Sequence, residues 1–119
     1  GTASQIIVRA LQALQDQFGS EPTDILAAIG PCIRQCCYEV GWDVAGKFPR
    51  SYTTESGADA KWKLDLAAAN RDGLIEGGIR PDHVFDLGAC TVCAANDFFS
   101  YRREPENPGR MISSIGRIA

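Results

Sequence analysis

"ILAAIGPCIRQCCYEVG", residues 25–41, joins a short apolar run to a turn that carries three cysteines. The run over residues 25–30 lies between Pro22 and Gly30-Pro31. A continuous apolar stretch of that length between turn signals reads as a buried strand. Upstream, Ile7, Leu11, Leu14 and Phe18 recur at helical spacing and predict an amphipathic helix. Thr2 or Ser4 is expected to cap it, and Gly19 to end it. Downstream, Val40, Val44 and Phe48 predict a short helix over residues 39–48. Gly41 and Gly46 weaken that helix by about 1 kcal/mol each relative to Ala.

Residues 49–62 are polar and rich in Ser, Thr and Gly, so an irregular, flexible surface loop is expected there. Asp65 then caps a helix over residues 66–78, with Ala68, Arg71 and Ile75 on one side and Gly77-Gly78 as its stop. Residues 83–88 read as a second strand and residues 109–118 as a third. The order of elements gives an α/β or α+β domain. Three strands and three helices would leave bare sheet edges. Together with the missing initiator Met, that makes the chain read as a half-domain.

At 119 residues, 45% hydrophobic and 23% charged, the composition is that of one globular domain. No apolar run approaches the ~20 residues of a membrane span, and no basic n-region precedes an apolar stretch as in a signal peptide. A net charge of −3 argues against nucleic acid as a partner. Five cysteines, an odd number, fit reduced thiols in a cytoplasmic protein better than a disulfide framework.

Zinc takes four ligands, often as two close pairs. The chain offers Cys32, Cys36 and Cys37, then Cys90 and Cys93, with His83 as an extra. Adjacent cysteines make an awkward chelate, and the basic residues and glycine of a zinc knuckle do not surround Cys90 and Cys93. Small thiols packed in turns are therefore the expected reading, with structural zinc as the competitor. A redox role for Cys90 and Cys93 would need a helix start at the following residues. His83 sits in the turn before a strand and is expected to face solvent. "DFFSYRREPENPGR", residues 97–110, is the other constellation. Arg102, Arg103 and Arg110 are of the type that grips phosphate or carboxylate, and Phe98 and Phe99 offer faces for a planar ring. Pairing of the arginines with Asp97 or Glu104 is the structural alternative.

"IGPCIRQCCYEVG", "LDLAAAN", "CTVCAANDFFSYRR" and "GRM", in this order, resemble the C-terminal half of the laccase-domain family. Its members are also called polyphenol oxidoreductases and are regarded as purine nucleoside phosphorylases. The resemblance implies an α/β fold of mixed strands sandwiched between helices, of which residues 1–119 would be an incomplete C-terminal half. Matched positions are Gly30, Pro31, Tyr38, Glu39, Asp65, Asn70, Cys90, Thr91 and residues 99–103. The resemblance implies zinc or copper held by two histidines and a cysteine, the second histidine opening a "HAGWRGT" motif. Gly1-Thr2 matches the end of that motif, which puts all three ligands upstream of Gly1. No catalytic residue and no metal ligand is therefore assigned to this chain, which alone is expected to be inactive. Phe99, Tyr101, Arg102 and Arg103 are the candidates for binding substrate.

For the intact protein the resemblance implies metal-dependent phosphorolysis of purine nucleosides, with phosphate as second substrate and adenosine deamination as a companion activity. The missing N-terminal segment, or a second chain, would complete the site. The competing readings are a copper-dependent polyphenol oxidase and a non-catalytic interaction fragment.

Overall fold

A parallel ladder links two strands far apart in sequence, and everything that positions the candidate site follows from it. The computed structural model describes residues 1–57 and 59–118; Ala58, in the expected loop, and Ala119 lie outside the described residues. Strand β1 (Ala27–Ile29) pairs in parallel with β5 (Val84–Asp86). The second sheet is antiparallel, in the order β2 (Glu39–Gly41), β4 (Lys61–Leu64), β3 (Thr53–Glu55). With helices α1 (Ile6–Phe18), α2 (Trp42–Ala45) and α3 (Leu66–Glu76), the chain is a mixed α/β structure, as its sequence predicts.

Helix α1 ends at Gly19, whose left-handed backbone lets its N–H donate to the Gln15 carbonyl and the Ser20 N–H to the Leu14 carbonyl. Its start differs from expectation. A single 3-10 turn, Thr2–Ser4, leads to Gln5 in a left-handed conformation, and no side chain caps the helix. Thr2 and Ser4 lie inside that turn, too early to reach the orphan N–H groups. Asp65 does cap α3, accepting a 2.9 Å hydrogen bond from the Ala68 N–H. At its far end, Gly78 adopts φ +103° with Pro22 against it, and Gly77 lies under Leu11. A side chain at Gly77 would collide with Leu11 of α1, and one at Gly78 with Pro22.

Two small cores result. Leu11, Ile79 and Val84 are buried beneath Ile7, Ile25, Ile29, Leu74 and Ile75, which joins α1 and α3 to the parallel pair. Val40, Ala45 and Leu64 form the other, with Tyr38, Phe48, Tyr52 and Trp62 packed against them.

Three expectations need correction. Residues 39–41 are strand, so the helix begins only at Trp42; the Val40 side chain is buried in the sheet rather than on a helix face. The expected irregular loop at residues 49–62 contains a 3-10 turn and the β3–β4 hairpin, with Trp62 and Leu64 alternating with Lys61 and Lys63. Finally, residues 109–118 form no strand, and Ile112, Ile115 and Ile118 are almost fully exposed.

Candidate functional site

The parallel pair continues one rung beyond its strands. Cys32 N–H donates to the Ala89 carbonyl at 3.3 Å, and Thr91 N–H to the Cys32 carbonyl at 3.0 Å. Two turns therefore leave the same end of the sheet side by side. One folds back at Arg34, whose carbonyl accepts from the N–H groups of Cys37 and Tyr38, both at 2.9 Å. The other closes when Ala94 N–H donates to the Cys90 carbonyl at 2.9 Å. Arg34 ties the two together: its guanidinium forms a forked pair with Asp86 and a further 3.4 Å bond to the Ala89 carbonyl. The Arg34 bond, helped by the Gly88 N–H, holds the Asp86 carboxyl down at about 2 despite partial burial.

This geometry gathers four thiols. The Sγ atoms of Cys36, Cys37, Cys90 and Cys93 all lie within 4.8 Å of one another. Cys93 sits 3.7 Å from Cys36 and 3.4 Å from Cys37, sulfur to sulfur. Cys90 is buried, whereas Cys36 and Cys93 are exposed, so packing of core thiols does not explain the group. Burial pushes the Cys90 thiol up, but backbone N–H groups of Cys93, Arg34 and Val92 outweigh it and bring the thiol down. Cys37 is pushed up, first by its contact with Cys93 and then by desolvation. Cys32 stands apart from the cluster, its thiol raised by burial.

The arginine segment grips both turns. Arg102 donates to the Glu39 carbonyl at 3.0 Å and lies 5.2 Å from the centre of the Tyr38 ring. Arg103 reaches the other turn, donating to the carbonyls of Thr91 at 2.6 Å and Phe98 at 2.8 Å. Its Nε also faces Glu104, the ion-pair alternative foreseen in the sequence, at 3.4 Å. Ser100 is buried and accepts from the Arg103 N–H, while Tyr101 projects into solvent. Phe99 is half exposed with its ring against Gly109, where any Cβ would collide. The structure thus brings Arg102 and Arg103 to one place but spends much of their donor capacity on backbone.

An open cleft of about 340 Å³ is lined by Gly1, Thr2, Tyr38, Val44, Lys47, Phe48 and Leu66, so the Tyr38 ring belongs both to the cleft and to the Arg102 stack. A second cleft, of about 230 Å³, runs alongside between Thr2, Lys47, Tyr52, Asn70 and Glu76. His83 takes no part in either. It is half-buried, against expectation, and its Nδ1 is enclosed without a partner. The sequence leaves the thiol cluster as the weaker of two readings, because the register that joins residues 32 and 90 has no local signal.

A metal held by two histidines and a cysteine does not fit the residues present. The single histidine is outside the thiol group, and four sulfurs would close a tetrahedral ion with no position left for substrate.

A family model described as "Multi-copper polyphenol oxidoreductase laccase" matches residues 1–118. The chain is 35% identical to purine nucleoside phosphorylase YlmD of Geobacillus stearothermophilus, covering 98% of this chain and 45% of that protein. It is 32% identical to adenosine deaminase RL5 from an unknown prokaryotic organism, covering 98% and 47%. Among solved structures, the hypothetical protein YfiH of Bacillus licheniformis superposes with a TM-score of 0.81 at 32% identity, over 88% of this chain and 42% of that one. YlmD of Geobacillus stearothermophilus gives 0.80 at 33% identity, over 88% and 41%. The chain therefore spans less than half the length of these relatives.

Proposed function

Because the chain belongs to the multi-copper polyphenol oxidoreductase laccase family, we propose that the protein containing it is a metal-dependent purine nucleoside phosphorylase. The substrates are adenosine or inosine with phosphate, and adenosine deamination is a secondary activity of the same site. In phosphorolysis a phosphate oxygen bonds to C1′ of the ribose as the N-glycosidic bond breaks. The base leaves with its electron pair and takes up a proton. A zinc or copper ion, held by ligands upstream of Gly1, supplies Lewis-acid polarisation when bound. The relatives named for phosphorolysis and deamination support this reading; a polyphenol oxidase remains the alternative through the family's description alone.

The observation that carries it to residues is the Arg102 guanidinium 5.2 Å from the centre of the Tyr38 ring, with Tyr38 itself lining the cleft beside Gly1 and Thr2. With one N–H group given to the Glu39 carbonyl, Arg102 keeps others for a phosphate oxygen. Phe99 and Tyr101 supply exposed aromatic faces for the purine. Arg103 acts as a positioning residue by clamping the backbone around them. Leu26, Phe85 and Leu87 are exposed apolar residues on the parallel pair, and the preceding segment of the protein, or a second chain, is the partner proposed to cover them. The free thiols suit a reducing, cytoplasmic setting. No helix among the described residues is long and apolar enough to cross a membrane.

The test is to incubate the whole gene product with inosine and phosphate and to measure hypoxanthine and ribose 1-phosphate. Arg102→Ala is expected to raise the KM for phosphate by roughly 10-fold or more, the loss of a charge-assisted hydrogen bond. Base release that does not depend on phosphate, or turnover of phenols instead, would sink the reading.

A further inference from the structure

We propose that Cys36, Cys37, Cys90 and Cys93 bind a structural zinc ion that clasps the turn after β1 to the turn after β5. The site is separate from the ligand set expected upstream of Gly1, and it does not rest on the proposed activity.

Geometry is the first argument. Four thiolates around zinc at bonds of about 2.3 Å stand roughly 3.8 Å from one another. The sulfurs here lie within 4.8 Å of one another, with two separations of 3.7 Å and 3.4 Å. Cys93 approaches Cys36 and Cys37 alike, so a single ion at the centre satisfies all four sulfurs. Soft thiolates without a carboxylate or imidazole select zinc over magnesium or calcium.

The surroundings are the second argument. Cys90 and Cys93 are three positions apart in a turn closed by the Ala94 N–H donating to the Cys90 carbonyl at 2.9 Å, which holds both sulfurs on one side. Zinc with four thiolates carries two negative charges, and Lys63 stands by, its Nζ 3.2 Å from the Cys36 carbonyl. Each turn is also held from outside, by Arg102 at Glu39 and Arg103 at Thr91, so the ligands are placed before metal arrives. All four positions being protein sulfurs, the ion has no vacancy for substrate, and the role is structural.

The experiment compares the whole protein with its Cys36→Ser and Cys93→Ser variants, both changes at exposed positions. Zinc per chain, measured by mass spectrometry, is expected to fall by about one equivalent in each, as expected of removing one of four ligands. In the unmodified protein, Cys36, Cys37, Cys90 and Cys93 should resist alkylation together and become reactive together when a strong chelator is added. That second measurement stands even if the variants fail to fold. Unchanged zinc in both variants, copper in place of zinc, free alkylation without metal loss, or a bridge from Cys93 to Cys36 or Cys37 in the unreduced peptide map would each overturn the proposal.

Discussion

The two sheets solve the problem of edges in different ways. The antiparallel sheet is built from one stretch of chain, and Leu64, at 0% exposure, sits at its centre. The Trp42 and Trp62 rings pack at a 51° tilt, 5.2 Å between centres, with the Arg50 guanidinium 5.8 Å from each. The parallel sheet has only two strands, and parallel strands are ordinarily buried on both faces. Here one face rests on α1 and α3 while Phe85 and Leu87 are 56% and 72% exposed on β5 and just beyond it. One region is completed within the chain. The other is tied at its ends and leaves apolar side chains exposed along its edge.

The sharpest way to break this comparison is at Leu64. Leu64→Ala should cost about 2–5 kcal/mol of unfolding free energy, read from urea denaturation. A loss below about 1 kcal/mol would show that the antiparallel sheet is not the self-sufficient part. Next comes the link at the end of the parallel pair. Arg34→Ala should cost about 1–3 kcal/mol by stranding the partly buried Asp86 carboxylate.

The same pair gives a pH dependence. Asp86 is held at about 2 when folded and returns to about 3.9 when unfolded. Its contribution is therefore complete above the unfolded value and is lost as pH falls through about 2. The urea midpoint of Asp86→Asn should accordingly be less acid-sensitive between those limits, and an identical slope would remove the pair from the account. The smallest effect belongs to Tyr52, whose hydroxyl donates to Asp72 at 2.7 Å and is pushed up to about 12. Tyr52→Phe should cost about 0.5–1.5 kcal/mol, since the exposed Asp72 regains water. A loss approaching that of Leu64→Ala would mean that this bond anchors the sheet to α3.

Features set by near neighbours were legible in the sequence. The α1 stripe with Gly19, the strand ahead of Gly30-Pro31, and the Asp65 cap all depend on residues within a turn or two. The β3–β4 hairpin was hidden because Thr53, Thr54 and Glu55 are polar and read as loop, although Lys61 to Leu64 alternate as a half-buried strand should. Apolar content misled at Met111, Ile112 and Ile115, which lie exposed in irregular backbone. The cysteines failed for a further reason. Their individual spacings argued against a site, and only the rung between Cys32 and Cys90 superimposes the two turns. The family's motifs supplied the expectation of substrate contact at Arg102 and Arg103, but not the backbone carbonyls these side chains hold.

The rung between Cys32 and Cys90 also fixes an order of events. Cys36 and Cys93 are 57 positions apart, a loop whose closure entropy must be met before any contact between them repays it. The hairpin and α3 lie inside that loop and close over short distances. They are therefore expected to form early during refolding, whereas the sulfur end of the molecule assembles last. Protection of amide hydrogens at Cys32 and Thr91 should accordingly lag behind that of β4. The chain spends the start of its folding life with four thiols unprotected, the interval in which oxidation competes with correct assembly.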